Sequence, residues 1–282
     1  THDNNGMAVT GSKICRVTQD GTFIQMNGSY DRALAQGAYL PASGGQSGVY
    51  VVPITYSAYN ENKILYSYDG IAWTPTCPMA DGVSKIIAVP SLNKLFAITS
   101  ARSILMSTDG ISWSVVYTHS NVAMTSNEII FGERLVVLFN GALVDNVVTS
   151  VDGTVWAAVS MGTAAVKSVG YLPTISRYYL SYDDTLYSGF YTDNFVSSTA
   201  VSVGGRNINY FPSLGKLQMY NTQNSTCYSS SDCATWTTTT MTNNLTNASV
   251  AAAYYFGRTY LTVPSVGEVT VYAIDPAGAC LW

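Results

Sequence analysis

A serine and an aspartate two residues apart recur in this 282-residue chain, each time with a tryptophan four residues after the aspartate. The four copies read SYDGIAW from Ser67, STDGISW from Ser107, SVDGTVW from Ser150 and SSDCATW from Ser230. Serine and aspartate become catalytic in a Ser-His-Asp arrangement, but the chain has only His2 and His119 and shows no such arrangement. In a tight turn the same carboxylate can accept hydrogen bonds from backbone N–H groups, while glycine takes a positive φ. The pattern therefore predicts hairpin turns rather than catalytic groups.

The aspartates of these copies belong to a longer series with a regular period. Asp69, Asp109, Asp152, Asp193, Asp232 and Asp275 follow one another at intervals of 40, 43, 41, 39 and 43 residues. Within one period, the segments KIIAVPS, NKLFAITS, SILMSTD and WSVVY each have the length and composition of a strand. A basic residue opens the second strand of successive copies: Lys94, Arg134, Arg177, Lys216 and Arg258. Four short antiparallel strands in each period predict an all-β fold, a β-propeller of four-stranded blades.

The period also predicts the domain organisation. Residues 37–282 divide into six repeats of about 41 residues, forming one propeller domain. The last repeat lacks a clear fourth strand, so the segment 1–36 is expected to supply it and close the ring. Six blades are favoured, and the number becomes seven if this N-terminal segment is most of a separate blade. Closure would bring Cys15 near Cys280, either as a disulfide in an oxidising compartment or as free thiols.

Composition and charge exclude several classes of function. The net charge is −4, and no run of basic residues is present, which argues against a nucleic-acid partner. No apolar run approaches the roughly 18 residues of a membrane span, so no membrane insertion is expected. The five cysteines form no CxxC pair and have no nearby histidine, so no metal site is expected. No phosphate-cradling glycine loop is visible either, and no cofactor is expected.

The four copies resemble the Asp-box, or BNR-like repeat, of sialidases and other propellers. Their short S-x-D-G-x-x-W form is similar to repeats in phage and bacterial surface proteins. The resemblance implies a structural role in the hairpin for Ser67, Asp69, Gly70, Trp73, Ser107, Asp109, Gly110, Trp113, Ser150, Asp152, Gly153, Trp156, Asp232 and Trp236. The catalytic pattern of a sialidase is not matched, because the chain has no Arg-Ile-Pro motif and only four Glu residues. Arg134, Arg177 and Arg258 also fall at turns on the Asp-box end of the blades, away from a sialidase active site.

No catalytic residue is therefore predicted, and the sequence favours a protein that is not an enzyme. If two-carboxylate glycosidase chemistry is present, the candidates are Asp145, Asp183 and Asp184.

Loops at the end of the blades opposite the Asp-boxes are rich in Asn, Asp, Ser and Tyr. Such groups bond sugar hydroxyls and stack on pyranose rings, although the same residue types also form ordinary turns. The predicted ligand-binding set is Tyr59, Asn60, Arg102, Tyr182, Asp183, Asp184, Arg206 and Asn221.

Together these features predict a non-catalytic receptor-binding propeller that recognises a cell-surface glycan or receptor. The expected setting is a phage tail or spike that attaches to its host, at the virion surface or outside a cell. It would act as a homo-oligomer or within a larger surface assembly. The alternatives are a sialidase-like glycoside hydrolase and a scaffold for protein–protein interaction. The scaffold would show an exposed apolar patch on one face.

Overall fold

A computed structural model gives the fold of the chain. It describes residues 6–10, 13–17, 23–26, 33–34, 36–55, 63–76, 79, 81–121, 125–140, 147–159, 166–181, 189–193, 195, 199–203, 206–211, 214–221, 226–240, 251–255, 258–265 and 268–274. Of residues 6–34 and 251–274, the backbone alone is described.

The chain is a succession of short β-strands, as its strand-sized apolar segments separated by turn residues predict. In chain order they are β1 (Gly6–Thr10), β2 (Lys13–Val17), β3 (Phe23–Met26), β4 (Ala33–Leu34), β5 (Ala38–Leu40), β6 (Val49–Thr55), β7 (Lys63–Ser67), β8 (Thr74–Pro75), β9 (Val83–Val89), β10 (Lys94–Thr99), β11 (Ser103–Ser107), β12 (Ser114–Thr118), β13 (Thr125–Phe131), β14 (Leu135–Asn140), β15 (Val147–Ser150), β16 (Ala157–Val159), β17 (Ser168–Leu172), β18 (Arg177–Ser181), β19 (Gly189–Thr192), β20 (Thr199–Val201), β21 (Arg206–Phe211), β22 (Lys216–Asn221), β23 (Thr226–Ser230), β24 (Thr237–Thr240), β25 (Ala251–Tyr255), β26 (Arg258–Ser265) and β27 (Glu268–Ile274). Single 3-10 turns, Pro90–Leu92 and Pro173–Ile175, connect β9 to β10 and β17 to β18.

These strands form seven antiparallel sheets within the described residues. Four sheets have four strands in sequence order: β9–β12, β13–β16, β17–β20 and β21–β24. A fifth follows the path β4-β6-β7-β8, and β5 also pairs with β6, so its first strand is split in two. The remaining two sheets have three strands each, β1–β3 and β25–β27. The repeat is therefore a sheet of four strands in which each strand pairs with the next.

The chain divides into two compact units. The first comprises Thr1–Gly141 and Val148–Ala157, and the second comprises Ala142–Val147 and Ala158–Trp282. Within the first unit, β5 lies beside β9 and β9 lies beside β13. Within the second unit, β17 lies beside β21 and β21 lies beside β25. Neighbouring sheets in each unit thus pack through their first strands, which is the packing of propeller blades.

The core lies between the sheets, and strand β10 shows how the sequence produces it. Leu95 and Ala97 join the apolar cluster shared with the sheet before, which includes Val49 and Val51 of β6. The alternate residues of β10, among them Phe96, join the cluster shared with the sheet that follows. Successive side chains of a strand point to opposite faces, so a strand with both faces buried needs an unbroken apolar run such as LFAI.

Several predictions about strands are confirmed. The four segments predicted between Lys85 and Tyr117 correspond to β9, β10, β11 and β12. The predicted basic residues open β10, β18, β22 and β26, and Arg134 directly precedes β14.

The predictions of ring closure and of blade number depend on how the two ends of the chain pair. Within the segment 1–36, β1–β3 form a sheet of their own, whereas β4 pairs with β6 of the next sheet. The described strands of the last repeat form a sheet of three. This is the arrangement that leaves six and seven blades as alternatives. Cys280 lies outside the described residues, so ring closure and a pairing of Cys15 with Cys280 stay predictions.

Candidate functional site

Four hairpin turns share one geometry, and we call them the Ser-Asp turns. They are residues 67–73 between β7 and β8, 107–113 between β11 and β12, 150–156 between β15 and β16, and 230–236 between β23 and β24. Each joins the third strand of its sheet to the fourth. Their sequences are those of the four repeated motifs.

The turn 107–113 shows the hydrogen bonds that hold this geometry. The Ser107 hydroxyl donates to Asp109 Oδ1 at 2.9 Å and accepts the Gly110 N–H at 2.9 Å. The same Oδ1 accepts the N–H groups of Ile111 and Ser112, both at 2.8 Å. The indole nitrogen of the turn's tryptophan donates to the Gly110 carbonyl at 3.2 Å. One carboxylate oxygen and one hydroxyl therefore organise the whole turn.

The other three turns repeat these contacts. The serine hydroxyl lies 2.9, 3.2 and 2.9 Å from the aspartate Oδ1 in the turns 67–73, 150–156 and 230–236. The indole nitrogen donates to the carbonyl of residue 70, 153 or 233 at 3.2, 3.2 and 3.1 Å. In the last turn Cys233 takes the glycine position. These hydrogen bonds give each aspartate a structural role within its own turn.

Hydrogen bonds also lower the pKa of these carboxyl groups. The pKa of Asp69 is lowered chiefly by the N–H groups of Ile71 and Ala72. The pKa of Asp152 is lowered further, first by the hydroxyl of Thr154 and then by backbone N–H groups.

In the two less exposed turns, burial opposes this effect. It raises the pKa of Asp109, but the N–H groups of Ser112 and Ile111 outweigh it, and the pKa is lowered. The same balance lowers the pKa of Asp232. All four carboxylates are thus charged at neutral pH.

The residue after each aspartate has a left-handed backbone. Its φ is +71° at Gly70, +74° at Gly110, +75° at Gly153 and +62° at Cys233. This conformation strains residues that carry a Cβ. A Cβ on Gly153 would lie 2.1 Å from the Phe96 ring, whereas one on Gly70 would meet nothing closer than 3.7 Å. Glycine is therefore needed for close packing at residue 153 but not at residue 70.

Each of the later turns packs against the sheet before it. Gly110 lies against Val49 and Val51 of β6, and Gly153 lies against Phe96 of β10. Trp156 makes an edge contact with the Phe96 ring, with centroids 6.5 Å apart. In the second unit the Trp236 and Tyr179 rings pack with centroids 4.7 Å apart, beside buried Cys233. The turns are thus part of the joints between neighbouring sheets.

Two of the basic residues that open second strands also bind these turns. Lys94 Nζ donates to the Asp152 carbonyl oxygen at 2.9 Å, and Arg177 Nη1 donates to the Asp232 carbonyl oxygen at 2.8 Å. In both cases the cation belongs to the preceding sheet. The sequence shows these cations but not their partners, because every residue has a main-chain carbonyl oxygen and no residue type indicates which one is bound.

The degenerate copy around Asp193 is held differently. Its carboxylate accepts from Arg177 Nε at 2.6 Å and Nη2 at 3.3 Å, and the guanidinium also lies over the Tyr191 ring at 4.4 Å. This pairing lowers the pKa of Asp193 and raises that of Arg177. Thr192 Oγ1 accepts the N–H of Phe195, which has φ +62°. An ion pair with the neighbouring strand therefore replaces the internal hydrogen bonds of a Ser-Asp turn.

Exposed apolar side chains concentrate on the Ser-Asp turns of the first unit. Val155 is 75% exposed and Val151 is 63% exposed. Tyr68, Ile71 and Ile111 are exposed as well. Among the described residues of this unit, only two other large apolar side chains are exposed, Tyr39 and Val115. This exposure was not predicted from the sequence, although apolar residues stand beside the aspartates of these polar turns.

The predicted glycan-binding residues are only partly described. Arg102 lies in the turn between β10 and β11, and its Nη1 donates to the Ser120 carbonyl at 3.3 Å. Arg206 begins β21 and Asn221 ends β22, where the backbone alone is described. The others, Tyr59, Asn60, Tyr182, Asp183 and Asp184, lie outside the described residues, as does Asp145. The grouping of this set stays a prediction.

His119 is buried, with its ring centroid 4.9 Å from that of Phe139, and its Nδ1 accepts the Asn121 N–H at 3.1 Å. Among the described residues no group of three His, Cys, Asp or Glu side chains could hold a metal ion. Nor does any helix in that part have the length and apolarity to cross a membrane.

Comparisons with known proteins concern the fold. No family model matches the sequence, and no curated protein matches it. Virginiamycin B lyase from Staphylococcus aureus is similar in structure, with a TM-score of 0.68 and 10% identity over 93% of both chains. YCF48 bound to D1 peptide gives a TM-score of 0.66 and 14% identity, over 96% of this chain and 90% of that one. A chain of the mitotic checkpoint complex gives 0.69 and 12%, over 95% and 83%.

These similar structures are β-propellers. At such low identity the likeness shows the fold alone. With the sheets of four antiparallel strands, it confirms the predicted all-β propeller class.

Gly70 and Gly153 have similar φ angles but different surroundings, which allows a test of the packing between neighbouring sheets. We expect Gly153→Ala to lower the free energy of unfolding by about 1–3 kcal/mol more than Gly70→Ala, because only residue 153 would press a Cβ against Phe96. Both variants should share the left-handed strain of about 1–2 kcal/mol. Denaturant unfolding of both variants and the unchanged chain measures the difference. Equal losses would contradict the close packing at residue 153.

The lowered pKa values of the turn carboxyls predict a stability profile in acid. A carboxyl with a lowered folded-state pKa stabilises the fold above its unfolded pKa of about 4, and this contribution is lost as the pH falls through the folded value. The double variant Asp109→Asn, Asp232→Asn should therefore show a shallower loss of stability below about pH 4. Denaturant unfolding at a series of pH values measures the slope. A slope equal to that of the unchanged chain would contradict the prediction.

Proposed function

We propose that this propeller is a non-catalytic binding module whose Ser-Asp turns contact a protein partner. The observation that carries this proposal is the concentration of exposed apolar side chains on the turns 67–73, 107–113 and 150–156 of the first unit. An apolar patch on one face was the feature expected of an interaction scaffold. Grouped exposed apolar side chains are typical of surfaces that a protein partner covers.

The three turns form one row, which supports their use as a single surface. The turn 67–73 follows β7, whose Ser67 pairs with Tyr50 near the start of β6. The turn 107–113 packs on Val49 and Val51 of the same strand end. The turn 150–156 packs in turn on the start of β10 through Phe96 and Lys94. A partner that contacts one turn can therefore reach the next.

The turns also suit a recognition role because they are rigid. Each backbone is fixed by its own carboxylate and hydroxyl, and Trp113 and Trp156 pack on the adjoining sheets. Apolar side chains on a fixed backbone lose little freedom on binding, and preorganisation of this kind favours affinity. Two of the similar structures are consistent with such a role, since YCF48 is bound to a peptide and the checkpoint chain belongs to a protein complex.

The resemblance of the motifs to Asp-box repeats supports a more specific proposal. We propose that the Ser-Asp turns are short Asp-boxes and that the chain is a receptor-binding propeller of a phage tail or spike, outside the cell or on the virion. Its host receptor would be the protein partner.

A cell-surface glycan is the second candidate ligand, at the opposite end of the blades. Arg102 supports it, since this partly exposed cation lies between β10 and β11, the end of these strands away from the Ser-Asp turns.

Selection of peptides tests the protein-binding surface directly. Peptides selected from a random displayed library against the unchanged chain should lose about tenfold or more in affinity for the double variant Ile111→Ser, Val155→Ser, because buried apolar contacts carry most of the energy of such interfaces. Fluorescence anisotropy with the selected peptides measures the affinity.

Val115→Ser is the matched control. Val115 is 61% exposed and lies on the outer strand β12, just beyond the turn residues 107–113. Its replacement should leave the affinities unchanged. Peptides that bind both variants as well as the unchanged chain would refute the proposed surface.

A glycan array tests the second candidate. Retention of the chain on one class of bacterial or host glycan, reduced about fivefold or more by Arg102→Ala, would support a glycan site at this end. Serine in place of Ile111 and Val155 should not affect that retention. If the array retains no protein, the glycan candidate fails and the protein-binding proposal is unaffected.

A further inference from the structure

We infer that the partner of the Ser-Asp turns is a cationic protein segment, one that presents Lys or Arg among apolar side chains. This inference rests on the proposed function and names the chemistry that the surface would recognise. It depends on how the charged groups of the first unit are distributed between the two ends of its sheets.

The end that bears the Ser-Asp turns is acidic. In a sheet of sequential antiparallel strands, the turn from first to second strand lies at the same end as the turn from third to fourth. The contact of Lys94 with the Asp152 carbonyl agrees with this placement. Described charged residues at this end of the first unit are four acids and two bases: Asp69, Asp109, Glu133, Asp152, Lys94 and Arg134.

Among the described residues, the opposite end has the reverse balance of charge. It carries two described acids and three bases: Asp81, Glu128, Lys63, Lys85 and Arg102. Lys85 and Glu128 form an ion pair between β9 and β13. Over the described residues, a cationic segment is therefore attracted more to the Ser-Asp end than to the other, which gives the docking a direction.

The carboxylates stand among the exposed apolar side chains. In the turn 67–73 the order is Tyr68, Asp69 and Ile71, and in the turn 150–156 it is Val151, Asp152 and Val155. Asp69 and Asp152 are both exposed. Each turn thus offers a negative charge between apolar contacts, and the complementary segment is a positive charge between apolar side chains.

The internal hydrogen bonds leave the Asp69 charge available. Those that described residues make to this carboxylate, from Ser67, Ile71 and Ala72, all end on Oδ1. Both oxygens of a carboxylate accept hydrogen bonds. Oδ2 can therefore accept from an ammonium or guanidinium group without disturbing the turn. Fixed by its turn, this carboxylate meets the incoming cation without losing side-chain freedom.

Synthetic peptides test this chemistry on the full chain. The first is a short peptide of Lys-Ile-Gly-Ser repeats, the second has Glu in place of Lys, and the third has Ser in place of Ile. We expect the Lys-Ile peptide to bind most tightly, by fluorescence anisotropy, and to weaken as salt is raised from about 0.05 to about 0.5 M. Asp69→Asn and Asp152→Asn should each weaken it about two- to fivefold, since asparagine keeps the Oδ1 acceptor but removes the charge. Asp152→Asn also changes the contact between Thr154 Oγ1 and Oδ2, so Asp69→Asn is the cleaner of the two variants.

Asp81→Asn is the matched control, because it removes one negative charge at the opposite end of β9. It should leave the affinity of the Lys-Ile peptide unchanged, and thermal melting of each variant checks that the fold is retained. An equal loss with Asp81→Asn would overturn the inference, because the attraction would then come from net charge alone.

The outcomes separate this inference from the proposed function. If Ile111→Ser, Val155→Ser abolishes binding while Asp69→Asn, Asp152→Asn and salt have no effect, the surface binds protein but the cationic preference is refuted. Equal binding of the Glu peptide would refute it too. If none of the three peptides binds, the cationic inference fails, while peptides selected from the library still decide the proposed function.

Discussion

The structure depends on one small set of hydrogen bonds, those by which a serine hydroxyl and an aspartate oxygen hold the backbone of a hairpin turn. Ser107 both donates to Asp109 and accepts the Gly110 N–H, so the turn has a single closed arrangement. That arrangement fixes the left-handed residue and places it against the preceding sheet. It also directs the tryptophan into the core between sheets. The local turn and the joint between sheets are consequently parts of one structure.

Much of the fold could be predicted from the sequence because its determinants are local. A strand buried on both faces needs an unbroken apolar run, as LFAI in β10 shows. Such a run can be recognised in the sequence without any tertiary information. The period could be read because each turn repeats Ser, Asp and Trp at fixed spacing. Blade number is a different kind of property. It depends on which strands the two ends of the chain pair with, and no local pattern records that pairing.

Contacts in the candidate site could likewise be predicted only where they are local in the sequence. The partners of Asp109 lie within three residues of it on either side, so its contacts within the turn could be predicted from the motif. Asp193 has its partner, Arg177, on another strand sixteen residues earlier, and spacing gave no indication of this ion pair. The exposure of Val155 was missed for another reason. An apolar residue in a turn has the same sequence signature whether a neighbouring sheet covers it or solvent does, and only the packing decides between them.

The hydrogen bonds from Lys94 and Arg177 bear on how such a repeat can diverge. Both cations bind the main-chain carbonyl of an aspartate in the next sheet, and every amino acid provides that oxygen. A later repeat can therefore exchange its motif residues, as Cys233 replaces glycine here, while this link to the preceding repeat is retained. Sequence drift then erases the motif faster than it erases the architecture. In chains of this kind, a search for the motif counts fewer repeats than the folded chain contains.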